Sequence, residues 1–223
     1  AQSKPGEAIY DLLLKNGNVL DPSSNRKGRF DIAIVGDRIV RIGADLPAQR
    51  AKTTVDLGAY YVTPGLIDLH AYVNAQAVYR QDDPHTDWRN VNPDHNALRH
   101  GVTTVVDAGS TGWRNFPKFK ELIIDRSQVR VLAFLNIVGN GMLDGDAPAD
   151  PADVQVQQTV DTALRYSDRI VGIRGPHALA RQTQTALHAL IDSDKPRGWH
   201  NQLNTQLLMN LTFTAEKNLF SWK

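Results

Sequence analysis

The segment Pro64-Gly65-Leu66-Ile67-Asp68-Leu69-His70-Ala71-Tyr72 places an imidazole at the end of a compact apolar run. Side chains at i and i+2 of a strand point to the same side. A His-X-His at such a place could close two imidazoles on one metal ion. In a parallel α/β barrel, functional side chains gather at the C-terminal ends of strands. His70 supplies the first position of that bite and Tyr72 stands at the second, so half of it is present. The alternative for a lone histidine after a strand is a structural role. Asp107 and Asn136 end two further apolar runs. Each either faces a pocket or serves its own turn as a cap. His177 follows Arg174 by three residues and is a second candidate metal ligand at the same mouth. His85, His95, His100, His188 and His200 read as solvent-facing or capping residues. Trp88 and Trp113 read as core residues or as the lining of a loop-built cleft, and Asp82-Asp83 as a solvated charge pair. Cysteine is absent. A disulfide framework, a thiolate zinc site and a cysteine nucleophile are therefore excluded. Any metal must be held by histidine, carboxylate or a modified side chain.

Two kinds of element must position these residues. Through residue 61 the pattern is of short strands and tight turns. Ile9 to Leu14 is apolar and Asn16-Gly17 is a hairpin dipeptide. Phe30 to Val35 alternates, Gly36-Asp37 turns, Ile39 to Ile42 pairs back, and Lys52 to Leu57 is a further strand. A small antiparallel sheet or half-sandwich is expected there. The pattern then changes. Val62 to His70, Val102 to Asp107, Val129 to Val138 and Arg169 to Ile173 are strands suited to burial on both faces. Between them, residues 94–100, Phe116 to Arg126 and Asp153 to Tyr166 have helical spacing, with Asn92-Pro93 as a helix start. Strand–helix alternation of this kind predicts βαβ units and a parallel sheet. Gln182 to Ile191 predicts one more helix. Asn201 to Lys223 suggests an amphipathic helix, and no strand–helix unit is expected to continue the rhythm there.

The 223 residues correspond to about one and a half average domains. Apolar residues make up 41% and charged residues 22%, which argues against a disordered or low-complexity chain. Lys+Arg 25 against Asp+Glu 24 leaves a net charge of +1. That balance predicts neither a nucleic-acid groove nor an acidic-membrane surface. No run approaches the ~18 apolar residues of a spanning helix. The start at Ala1-Gln2 without Met fits either a mature end left by signal-peptide removal or an arbitrary boundary. A periplasmic or secreted location and a cytoplasmic one both follow from it.

Several ordered motifs together carry a resemblance. They are Thr63 to His70, Gly101 to Ser110, Arg130 to Ile137 and Ile170 to Ile173. From about residue 9 to about 177 the chain resembles the amidohydrolase superfamily, in its deacetylase/dihydroorotase-like branch. The resemblance implies an α/β fold of (β/α)8 TIM-barrel type with a small β-sandwich module. It implies one or two zinc ions and metal-activated water attacking an amide or an N- or O-acetyl group of a small molecule. A strand-one His-X-His, a carbamylated lysine after strand four, histidines from strands five and six and an aspartate from strand eight would form the site.

Measured against that pattern, His70 matches the first histidine and Tyr72 replaces the second. A phenol is a poor zinc ligand at neutral pH, because it must lose a proton of pKa about 10. Arg174 stands at the place of the bridging lysine, and a guanidinium cannot become an anionic bridge. A full barrel takes about 250 residues, whereas about 160 follow the first module. The expected organisation is an N-terminal β-sandwich portion over 1–61, the first half of the barrel over 62–177, and a divergent, unrelated or frame-shifted tail over 178–223. Three functions remain open: an impaired metallohydrolase, a catalytically inactive remnant or binding scaffold, and half of a split enzyme completed by another chain or an oligomer.

Overall fold

The computed structural model describes residues 10–73, 92–142, 151–176, 179–191 and 200–204. The chain divides into two units, one ending at Pro64 and the other beginning at Gly65.

The first unit is a single five-stranded sheet. Its strands are β1 (Tyr10–Asp21), β2 (Arg26–Val35), β3 (Arg38–Gly43), β4 (Ala51–Asp56) and β5 (Tyr61–Val62). The order is β3-β2-β1-β4, with β5 also on β1. β1–β2 and β2–β3 are antiparallel, but β4 and β5 run parallel to β1. The sheet is therefore mixed, where the turn chemistry predicts an antiparallel one. The cause is a chain crossing, residues 44–50, that returns β4 in the direction of β1. No second layer of a sandwich lies among the described residues.

Asn16-Gly17 does not make a hairpin. β1 runs through it, Asn16 adopts φ 60, and the pairing with β2 slips between Leu14 and Gly17. The dipeptide's tolerance of positive φ is used for a bulge instead of a reversal. The reversal falls at residues 22–25. There the Asp21 carboxylate accepts from Ser23 N at 3.0 Å and Ser23 Oγ at 2.8 Å. The Gly36-Asp37 turn is present as expected, with Gly36 N donating to Asp11 Oδ2 at 2.7 Å.

The bulge is held by a buried carboxylate. Asp31 accepts from Lys15 Nζ at 2.6 Å, Asn16 N at 2.8 Å and Leu46 N at 2.8 Å. Burial pushes its pKa up, yet the Lys15 ammonium and the two N–H groups outweigh that and hold it below the ordinary carboxylate range. The small core of Tyr10, Leu13, Ala33 and Leu46 packs close to this knot.

The second unit is a parallel ladder in strict chain order. β6 (Leu66–Ala71), β7 (Val102–Asp107), β8 (Arg130–Asn136), β9 (Ile170–Pro176) and β10 (His200–Asn204) each pair with the next. α1 (Pro93–Asn96) is capped by Asn92, whose Oδ1 accepts from His95 N at 3.1 Å. One 3-10 turn follows, and Gly101 at φ 74 stops the helix and redirects the chain into β7. α2 (Phe116–Phe119) continues into a π-helical turn through Ile124. α3 (Val156–Arg165) and α4 (Ala180–Ile191) complete the described helices.

The apolar runs explain the layering. Along β8, Val131, Ala133 and Leu135 join Val105, Ile173, Phe116, Phe119, Val160 and Ala163 in the larger core. Leu132 and Phe134, one residue out of phase, join Val106, Leu69 and Val171 in a separate cluster. Alternate residues of one strand thus serve two faces, as a parallel sheet buried on both sides requires. Phe116 sits edge-on to Phe119 at 6.0 Å and tilted on Tyr166 at 5.2 Å. Five parallel strands with interleaved helices form part of a (β/α)8 barrel.

The expectation that no strand–helix unit continues the rhythm in the last fifty residues is corrected by two elements. α4 forms where Gln182 to Ile191 predicts a helix, and β10 then adds parallel to β9. His200 to Asn204 has little apolar character, so its sequence hides a strand that main-chain bonding defines. The amphipathic helix expected from Asn201 is not found over residues 201–204, and residues 205–223 lie outside the described residues.

Removing the Asp31 acceptor would strand the buried Leu46 N–H, the part-buried Asn16 N–H and a partly buried ammonium. Asp31→Ala should lose about 2–4 kcal/mol in urea unfolding, and Asp31→Asn should lose less. A loss within roughly 0.5 kcal/mol, the range of an ordinary surface change, would show that the bulge does not depend on this carboxylate.

Candidate functional site

The strand ends of the second unit bring together four of the residues singled out from the sequence. His70 and Tyr72 leave β6, and the His70 ring nitrogen Nε2 lies 3.1 Å from Tyr72 Oη. The two rings meet edge to face at 5.3 Å. Arg174, near the end of β9, donates through Nη2 to Tyr72 Oη at 3.3 Å. Its Cζ lies 5.5 Å from the Tyr72 ring centroid, within cation–π range. Its Nη1 donates to the Met142 thioether. His70 is exposed, whereas Arg174 is only 3% exposed. The fourth residue, Asp107, is fully buried.

Asp107 acts on the backbone around it. It accepts from Val73 N at 2.9 Å, Gly109 N at 3.1 Å, Ser110 N at 2.7 Å and Ser110 Oγ at 2.6 Å. It thereby ties the chain leaving β6 to the turn that follows β7. Gly109 links this knot to two other candidates. Its carbonyl accepts from the Asn136 amide at 3.0 Å, and Asn136 Oδ1 accepts from Val138 N at 3.0 Å. Its φ is +88, and a side chain built on it would collide with the Arg174 stem. Glycine is required on both counts: a backbone that other residues rarely adopt, and the close passage of an arginine.

His177 lies outside the described residues, as do His85, Trp88 and Asp82-Asp83. His200 opens β10 opposite Gly172, two residues on the N-terminal side of Arg174 in the ladder. It stands away from the strand ends where His70 and Arg174 sit. Met142 and Gly109 are the site residues missed by the sequence reading. A glycine two residues past a strand-end aspartate was the signal for one, and nothing local marks the other.

Among the described residues, no three of His, Cys, Asp or Glu converge to hold a metal ion. The imidazole of His70 faces a phenol, the phenol faces a guanidinium, and both oxygens of Asp107 are taken by four donors. Zinc takes three or four N, O or S ligands at about 2.0–2.3 Å, and these residues do not fit it.

Burial pushes the Asp107 carboxyl up to about 6, against the pull of the Ser110 hydroxyl and three N–H donors. The folded protein therefore keeps a proton between about pH 4 and 6 that the unfolded chain has released. Stability should fall by about 3 kcal/mol as pH rises through that window. The carboxyls held low, Asp11, Asp21, Asp31 and Asp56, contribute in the opposite sense and below it. Urea unfolding from pH 4 to 7 measures the slope. Asp107→Asn should remove it; a slope unchanged in that variant would mean that another group is responsible.

Comparison with known proteins adds a relationship. A deacetylase of Agrobacterium fabrum is 30% identical over 153 residues, 65% of this chain and 34% of that protein. A dihydroorotase of Clostridium acetobutylicum is 34% identical over 100 residues, 45% of this chain and 22% of that protein. The solved structure of a dihydroorotase superimposes with a TM-score of 0.66 at 27% identity, covering 81% of this chain and 49% of that one. An atrazine chlorohydrolase from Arthrobacter aurescens, complexed with zinc, shares the fold at a TM-score of 0.52 and 19% identity, covering 85% and 52%. The chain spans between a third and a half of the length of the deacetylases it matches. The family described as outer membrane protein LpxR matches residues 140–223, which is under half of the chain. In sequence the chain is thus similar to deacetylases and dihydroorotases over part of their length, and its fold superimposes on that of a solved dihydroorotase.

Proposed function

We propose that this chain carries the early strands of a deacetylase-like hydrolase fold. Its ligand is a small amide or N- or O-acetylated molecule, and its mouth is metal-free. The observation that carries this reading is the contact Arg174–Tyr72–His70. A guanidinium and a phenol occupy positions where the family resemblance calls for an anionic bridge and a second imidazole.

Arginine stays protonated at any physiological pH. A dication brought within about 4 Å of it would meet roughly 8 kcal/mol of repulsion at an effective ε of about 20. Tyr72 adds no anion unless it loses its proton. The phenol bridges the imidazole to the guanidinium and so fixes the orientation of all three. Such a mouth can bind and orient a polar acyl compound. The water-activating step that zinc supplies in a loaded enzyme has no ligand set among the described residues.

A second reading keeps hydrolysis. His70 is exposed and has one neutral neighbour, so its imidazole is free to take a metal whose other ligands come from elsewhere. β10 ends the described ladder, and an open strand edge is a template for a further strand. A complementing chain or a second copy would supply it.

Zinc content distinguishes the two. The full chain, incubated with zinc chloride and dialysed, should retain far less than one zinc per chain by mass spectrometry of the metal. It should not hydrolyse N-acetyl amino acids above background. The double variant Tyr72→His with Arg174→Lys should raise zinc retention. One zinc per chain together with turnover in the unaltered protein would sink the metal-free reading and establish the second.

A further inference from the structure

We propose that Arg174, aided by Tyr72 and His70, is a subsite for a carboxylate group on the small acylated ligand. The compound class is an N-acyl amino acid or a similar acyl compound bearing a carboxylate. This rests on the reading of the site as a mouth for small amides and acetylated molecules, and it names the charged half of that ligand.

The first observation is a cation without a counter-ion among the described residues. Arg174 is 3% exposed. A guanidinium carries five N–H donors, and among the described residues those of Arg174 meet neutral acceptors, the Tyr72 phenol and the Met142 thioether. Other arginines of the same unit are treated differently: Arg114 pairs with Asp153, and Arg169 with Asp168. No described carboxylate pairs with Arg174. Asp107, which binds the amide of the glycine that Arg174 crosses, gives its oxygens to Val73, Gly109 and Ser110. A buried charge is ordinarily paired, since taking an ion out of water costs several kcal/mol.

The second observation is that the position is built. Gly109 holds a positive φ and lacks the side chain that would block the arginine stem. The Tyr72 ring lies against the guanidinium and its hydroxyl accepts from it. On the ladder, Arg174 pairs with Asn136 of β8 and Gln202 of β10, toward the C-terminal ends of the strands. Ligands of open and closed parallel sheets bind at those ends. The exposed His70 marks the solvent side of the trio.

The third element is the match of shape and charge. A guanidinium fork presents two parallel N–H groups to two carboxylate oxygens. One unpaired arginine neutralises a monoanion and would leave a phosphate dianion half compensated.

The test compares two probes that differ only in charge. N-acetylglycine and N-acetylglycinamide are titrated into the full chain by calorimetry at low and at high salt. A charge-assisted pair should make the acid bind tenfold or more tighter than the amide at low salt, and salt should narrow the gap. Arg174→Met keeps an unbranched stem over Gly109 and should abolish the preference, while Arg174→Lys should keep part of it. Equal binding of the two probes, no binding of either, or a preference that survives in Arg174→Met would each overturn the proposal. The comparison of probes in the unaltered protein stands even if Arg174→Met fails to fold. Zinc retention and turnover are read separately. Hydrolysis without a preference for the acid would refute the carboxylate subsite alone, and a preference without hydrolysis would support it alone.

Discussion

A fully buried carboxylate organises the strand ends of the larger unit. Asp107 collects three backbone N–H groups and one hydroxyl from two successive loops. Without an acceptor there, buried N–H groups would be orphaned at a cost of about 1–3 kcal/mol each. Everything at the mouth is placed through this knot. It fixes Gly109, whose carbonyl holds the Asn136 amide and whose missing side chain admits Arg174. Arg174 then reaches Tyr72, and Tyr72 reaches His70. The candidate site is thus a relay of positions that begins at a residue with no free lone pairs for a ligand.

Much of the ladder was legible in the chain because of one pattern. Val102 to Asp107 and Val129 to Val138 are nearly continuous apolar runs, and only a strand covered on both faces needs them. Gly101 was legible as a helix stop, since its positive φ is a conformation that glycine alone adopts freely. Asn16-Gly17 was misleading for a related reason. Positive φ serves a bulge as well as a hairpin, and the choice was made by Asp31, a partner fifteen residues away. His200 to Asn204 was illegible because a strand can be defined by main-chain bonds to β9 while its side chains carry no β signal.

At the site, residue types were legible and their use was not. Asp107 and Asn136 sit at strand ends as expected, but each turns its polar atoms to neighbouring backbone. Spacing along the chain predicts which end of a sheet a residue reaches. It cannot predict whether a local N–H will take the side chain first, as short polar side chains so often allow. Arg174 shows the reverse case. Its distance from Tyr72 is 102 positions in sequence and one hydrogen bond in space, a proximity that only the parallel pairing of successive strands creates.

The two family likenesses meet in the region after residue 140. Of that stretch, β9 and β10 are described, and both run parallel within the same sheet as β8. Barrels of the outer-membrane type are built of antiparallel strands. β9 and β10 therefore continue the parallel ladder whose fold superimposes on that of a solved dihydroorotase. That architecture is also what gives Arg174 its meaning. A parallel ladder collects its strand ends at one mouth, so a charge change at the end of β9 is felt beside the end of β6. The Arg174 guanidinium, set by this ladder against the Tyr72 phenol, therefore places a fixed positive charge at the mouth that the fold builds.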